Sequence, residues 1–105
     1  MAIRERCTQR IFHDKWDDMM EVEKDWDAVE EAIGGVPKKR RSRPLAGKDW
    51  GSELIWEREW DSLAQMEATY RYDQTYKGDI DLMGLMERTG TCVADRRVDI
   101  YRVLP

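Results

Sequence analysis

SELIWEREW, residues 52–60, alternates without a break: Leu54, Trp56, Arg58 and Trp60 fall on one side, Glu53, Ile55, Glu57 and Glu59 on the other. A period of two over this length predicts a strand with one face against a core. Ahead of it, Pro44, Gly47 and Gly51 punctuate the chain as a turn, and the basic run KKRRSR at 38–43 has room for a short strand. Behind it the period changes. Ser62 with Gln65 three residues later reads as a capping box, opening a helix whose stripe is Leu63, Met66 and Tyr70, with Tyr76 as its extension. Gly78 interrupts, Asp79 caps a shorter helix through Glu87, and Gly90 releases the chain into a last strand from Cys92 to Val103.

The N-terminal half repeats the pattern of a strand followed by a helix. Residues 2–12, AIRERCTQRIF, set Ile3, Glu5, Cys7, Gln9 and Ile11 against Arg4, Arg6, Thr8, Arg10 and Phe12. From Asp14, steps of three and four through Met19, Val22, Trp26, Val29 and Ile33 predict a helix about 20 residues long. Gly34 and Gly35 end it, and Asp14, Asp17 and Asp18 suit its positive end.

The element order is thus β-α-β-β-α-(short α)-β. This predicts an α+β, ferredoxin-like unit: a four-stranded antiparallel sheet with its helices on one face and the first strand between the third and fourth. That order sets Arg4, Arg6 and Arg10 between Glu53, Glu57 and Glu59 on one neighbour and Asp95 and Asp99 on the other, a ladder of opposite charges. The reverse face presents Ile3, Cys7 and Ile11 with Leu54, Trp56 and Trp60, then Val98, Ile100 and Leu104, and is expected under the helices. Trp26 and Trp56 are expected in that core and Trp50 at the end of a pocket or against a partner.

A chain of 105 residues fits one domain, 1–105, and its 41% hydrophobic content supports a core. A unit of this size buries only about two thirds of its surface, so a second copy would relieve the shortage. The net charge is -4, against general affinity for nucleic acid, and the KKRRSR run is read first as protection of an edge strand. No apolar stretch approaches the roughly 18 residues of a membrane span, and the cytoplasm is the expected location. Cys7 and Cys92 lie at opposite ends of paired strands, so no internal disulfide is expected, and with His13 as the single histidine no metal site is expected either.

The segment RPLAGKDWGSELIWEREWDSLAQMEATY at 43–70, with RRVDIYRVL at 96–104, resembles the dimeric α/β-barrel superfamily, and within it NIPSNAP-like and antibiotic-biosynthesis-monooxygenase-like small proteins. The resemblance implies a homodimer in which two sheets pair face to face into a barrel. It also implies a cofactor-independent oxygenase or isomerase-like reaction on an acidic or phenolic compound. This chain lacks the histidine that the haem-handling relatives carry on the first helix or in later loops, so no haem and no other cofactor is expected.

On the residues themselves, Arg6, Arg10, Glu57, Glu59, Asp99 and Tyr101 are the candidate ligand-binding set, because guanidinium groups in a partly enclosed space orient anions. No residue is singled out as catalytic. Three classes stay open: a small-molecule enzyme, a binding protein, and a structural homodimer whose Arg/Glu/Asp ladder only stabilises the interface.

Overall fold

The alternation that predicts strands is realised at both ends of the chain. In a computed structural model describing residues 2–47, 51–71 and 76–105, β1 (Ile3–Ile11) leads through α1 (Trp16–Ile33) and β2 (Arg40–Ser42) to β3 (Glu53–Trp60). The chain then passes through α2 (Leu63–Thr69) and α3 (Leu82–Cys92) into β4 (Val93–Arg102). The expectation for Trp50 lies outside the described residues.

The four strands pair antiparallel in the order β2-β3-β1-β4, with β1 inside as expected. Glu5 faces Arg58 and Cys7 faces Trp56 across β1 and β3, while Cys7 faces Val98 and Gln9 faces Arg96 across β1 and β4. The sheet does not close into a barrel, which corrects that part of the expected architecture: pairing ends at β2 and at β4, each bonded to a single neighbour. Cα extents of 40 × 35 × 17 Å leave room for one sheet and one helical layer, so the other sheet face is bare.

Apolar periodicity explains the helical layer. Met19, Val22 and Val29 of α1 are buried with Ile11, Leu54, Leu85 and Cys92, and Trp16, Trp26, Ile33, Tyr76, Ile80 and Val93 pack around them. Gly34 takes φ 78°, the left-handed geometry that glycine adopts without penalty, and its N–H donates to the Glu30 carbonyl.

The predicted boundaries move in four places. α1 starts at Trp16 rather than Asp14, with Asp17 and Asp18 in its first turn. Ser62 caps α2 by accepting from the Gln65 N–H, and the Gln65 side chain reaches back to the Asp61 N–H, yet the helix stops at Thr69 short of Tyr76. The following helix begins after Asp81 rather than Asp79 and runs through Gly90 to Cys92, because a single helical glycine with open space around it costs too little to break the element. Seven residues give α2 a length of roughly 10 Å. The helical layer therefore does not shelter the outer half of β4, and Val98, Ile100 and Leu104, expected beneath it, are exposed.

Candidate functional site

The bare sheet face carries all six residues of the expected set. Arg6 pairs with Glu57 at 3.2 Å, Arg4 with Glu59 at 3.1 Å, Arg10 with Asp95 at 2.7 Å and Arg97 with Asp99 at 2.9 Å. Arg6 also lies 6.0 Å from the centre of the Tyr101 ring. The ladder expected from the strand order is present at Glu57, Glu59 and Asp95, whereas Asp99 pairs with Arg97 of its own strand. It brings Arg6, Glu57, Asp99 and Tyr101 onto neighbouring strands, with Arg10 toward one end and Glu59 toward the other.

A second constellation occupies the opposite face, among the apolar residues. Glu5 and Arg58 are direct partners across β1 and β3, and both are buried. The Arg58 guanidinium donates to Glu5 at 3.2 Å and to Glu30 of α1 at 2.5 Å, and lies over the rings of Trp56, Trp60 and Tyr70. Glu5 Oε1 also accepts from Trp60 Nε1 at 3.0 Å and from the Tyr70 hydroxyl. Lys39 reaches Glu30 at 3.1 Å beneath 4.6 Å of separation from the Trp56 ring centre, and Arg41 reaches Glu23 at 2.6 Å and Asp27 at 2.8 Å. Burial alone would lower the Arg41 pKa, but the hydrogen bonds to Asp27 and Glu23 outweigh it and the net direction is upward.

Glu5, Glu23, Glu30, Lys39 and Arg58 of this constellation line a cavity of about 750 Å³ between the helices and the sheet. Trp26, Trp56, Tyr70 and Met86 supply its apolar and aromatic surface; Gly90 and Thr89 of α3 stand at its edge with Gln9 and Arg96 across from them. Trp26 is fixed by an indole hydrogen bond to Thr89 at 3.0 Å. Gln9 is 2% exposed, and its Nε2 has no hydrogen-bond partner among the described residues. Arg96 donates from Nε to the Cys7 sulfur at 3.1 Å. Burial pushes the Cys7 thiol up, and the adjacent Arg96 draws it back only part of the way, so the sulfur meets Arg96 as a neutral acceptor. Its fully buried position under the helices is the one expected from strand alternation.

The basic run is dispersed by its own strand. Lys39 and Arg41 turn to the acids of α1, Arg43 donates to the Gly51 carbonyl at 2.6 Å and stacks 3.9 Å from the Trp16 ring centre, and Arg40 stands opposite Glu57. Cys92 pairs its carbonyl with the Phe12 N–H, far from Cys7 along β1, and both thiols are free. Among the described residues there is no group of His, Cys, Asp and Glu arranged to hold a metal ion, and no helix is long and apolar enough to cross a membrane.

The buried constellation was legible in part. Glu5 and Gln9 share the face of Cys7 and Ile11, Arg58 shares that of Trp56 and Trp60, and Glu23 and Glu30 sit seven residues apart within the apolar stripe of α1. Opposite charges recurring on faces otherwise apolar are the signal that points to a buried network rather than a solvated surface.

An open antiparallel sheet of this order, backed by helices on one face, is the ferredoxin-like fold seen in solved NIPSNAP-like proteins, and the resemblance stated for residues 43–70 and 96–104 holds at the level of fold. A NIPSNAP family protein from Agrobacterium tumefaciens is 18% identical with a TM-score of 0.75, the match covering 100% of this chain and 93% of that one. A Bordetella bronchiseptica protein described as a candidate antibiotic biosynthesis monooxygenase is 11% identical with a TM-score of 0.69, covering 99% and 98%. A dimeric ferredoxin-like protein of unknown function from Thermobifida fusca is 13% identical with a TM-score of 0.68, covering 98% and 92%. No protein-family model matches the sequence, and no curated protein matches it. At these identities the likeness is one of fold.

Proposed function

We propose that this protein binds a small acidic or phenolic molecule in the cavity between its helices and its sheet, and that it works as a homodimer joined through the bare sheet face. The observation that carries the reading is the cavity itself. Its volume of about 750 Å³ lies inside the roughly 300–1,000 Å³ range of small-molecule sites, and it combines aromatic walls with a few fixed polar groups. Its enzymatic form is a cofactor-independent oxygenase or isomerase-like reaction. Two features support that form: the likeness to a candidate monooxygenase, and a Tyr70 hydroxyl held on Glu5 in the wall, where a phenol can pass a proton to or from a ligand.

The bare face supports the dimer in a different way. Cationic Arg4, Arg6 and Arg10 alternate in rows with Glu57, Glu59, Asp95 and Asp99, so the surface has both signs to offer a copy of itself. The exposed Tyr101 ring on edge strand β4 adds apolar surface on the same face for a partner to cover. In this reading Arg6, Arg10, Glu57, Glu59, Asp99 and Tyr101 bound the space between two copies. A structural homodimer without ligand is the alternative, favoured by the mutual pairing of the ladder charges.

Plugging the cavity separates these readings. A Cβ added at Gly90 would meet nothing within 4 Å, so Gly90→Phe can direct a ring into the opening without displacing backbone. Fragment binding followed by ligand-detected NMR is expected with the unmodified protein and lost with the plugged one, while sedimentation equilibrium gives twice the chain mass for both. Equal fragment binding by both proteins removes the cavity reading; a monomer at micromolar concentration removes the dimer.

A further inference from the structure

Within the cavity, charge is compensated everywhere except at one place. Glu5 and Glu30 are held by Arg58, and Glu23 and Glu30 by Arg41 and Lys39. Asp95, at the rim, pairs with its register partner Arg10 on the bare face of the sheet. Arg96, exposed at the cavity mouth, is paired with no carboxylate among the described residues; its Nε donates to the neutral Cys7 sulfur, which leaves its terminal nitrogens facing the opening. Directly opposite on β1 stands Gln9, its register partner, on the same face and lining the same cavity. Gln9 Nε2 is the buried amide donor that lacks an acceptor. A buried donor without a protein partner is rare in folded proteins, and it marks a place where a water, an ion or a ligand atom can be held.

We propose that Gln9 and Arg96 form an oxyanion-binding subsite, taking the carboxylate or phenolate oxygen of an aromatic acid whose ring lies against Trp26 and Trp56. The proposal rests on the cavity being the ligand site and names what that site selects. A cross-strand pair places the two donors roughly 5 Å apart at their Cα atoms, so one oxygen can be reached by both. The guanidinium favours a negative oxygen over a neutral one and fixes its direction, while the amide supplies the hydrogen bond that orients it. Cys7 acts as a positioning residue, since its sulfur anchors Nε and leaves the outer nitrogens for the ligand.

Benzoate and benzyl alcohol, which share a ring and differ in charge, test this by calorimetric titration with the unmodified protein, Arg96→Gln and Gln9→Leu. Benzoate is expected to bind the unmodified protein at least tenfold more tightly than benzyl alcohol. Arg96→Gln is expected to abolish that preference while keeping benzyl alcohol affinity within twofold. Gln9→Leu is expected to weaken both ligands and to raise Tm, because an unsatisfied amide is replaced by a packed apolar group. Binding of both ligands with no charge preference, or a preference that survives Arg96→Gln, overturns the subsite and leaves the cavity reading in place. Absence of binding by either ligand at millimolar concentration overturns both. A Gln9→Leu protein with lowered Tm and unchanged affinities shows a structural amide and also overturns the subsite.

Discussion

Replacing Arg58 with methionine removes the positive charge at the centre of the buried network while keeping much of the side-chain volume. Arg58 is 2% exposed in its side chain, with Glu5 at 5% and Glu30 at 8%, so neither carboxylate has water to turn to. The guanidinium's contacts with the Trp56, Trp60 and Tyr70 rings vanish as well. Breaking a buried ion pair from one side costs about 3–5 kcal/mol, because the partner charge is stranded. Trp60 and Tyr70 still donate to Glu5, and Lys39 still reaches Glu30, which argues for the lower end of that range. The exposed Lys24–Glu21 pair on α1, away from the bare sheet face, provides the internal reference: Lys24→Gln is expected to change stability by about 1 kcal/mol or less. Urea unfolding followed by tryptophan fluorescence, at one fixed protomer concentration, measures both. Arg58→Met at about 3 kcal/mol or more, and well beyond Lys24→Gln, is the expected order. An Arg58→Met cost under about 1 kcal/mol would refute the claim that the network is desolvated and mutually dependent.

Other perturbations follow from single contacts. Ser62→Ala deletes the acceptor for the Gln65 N–H and should cost about 1 kcal/mol in urea unfolding. Gly90→Ala, in a helix and with open space at the added Cβ, should stabilise by about 0.5–1 kcal/mol in the same assay. The Cys7 thiol has its pKa raised above 9.0 in the folded chain, so the unfolded chain loses this proton first as pH rises; the contribution to stability is complete below pH 9 and is lost as pH climbs from there toward the folded value. Stability measured from pH 8 upward should therefore fall more steeply for the unmodified protein than for Cys7→Ala.

Strand order and register were readable because they rest on period-two alternation and on complementary charges. Arg4, Arg6 and Arg10 meet Glu59, Glu57 and Asp95 as the pattern requires. Helix ends were less so. Gly90 looks like a terminator in isolation, yet Leu85 and Cys92 are both buried on α3, and their packing carries the helix through the glycine. The extent of the helical layer was not readable either, since it depends on where α2 stops, and so the exposure of Val98 and Ile100 could not be derived from their own sequence. The open face drew attention because its charges lie on consecutive alternate positions. The buried network is assembled from four segments, with Glu5, Glu23, Glu30 and Arg58 scattered among apolar face-mates and Lys39 inside the basic run. Their convergence appears only once α1 is laid across β1, β2 and β3. Gln9 illustrates the limit well: its place on the inner face follows from alternation, but its missing partner is a property of the folded surroundings.

The central claim is that ligand enters between helices and sheet, and the indole N–H resonances of the tryptophans test it most directly. Trp26 and Trp56 line the cavity, whereas Trp16 stacks on Arg43 elsewhere. In two-dimensional ¹H–¹⁵N spectra, titrating benzoate into the ¹⁵N-labelled protein is expected to shift the Trp26 and Trp56 indole signals in a saturable manner and to leave that of Trp16 in place. Saturable shifts confined to the Arg6 and Arg10 side-chain signals, with Trp26 and Trp56 unmoved, would put the ligand on the bare sheet face and contradict the account.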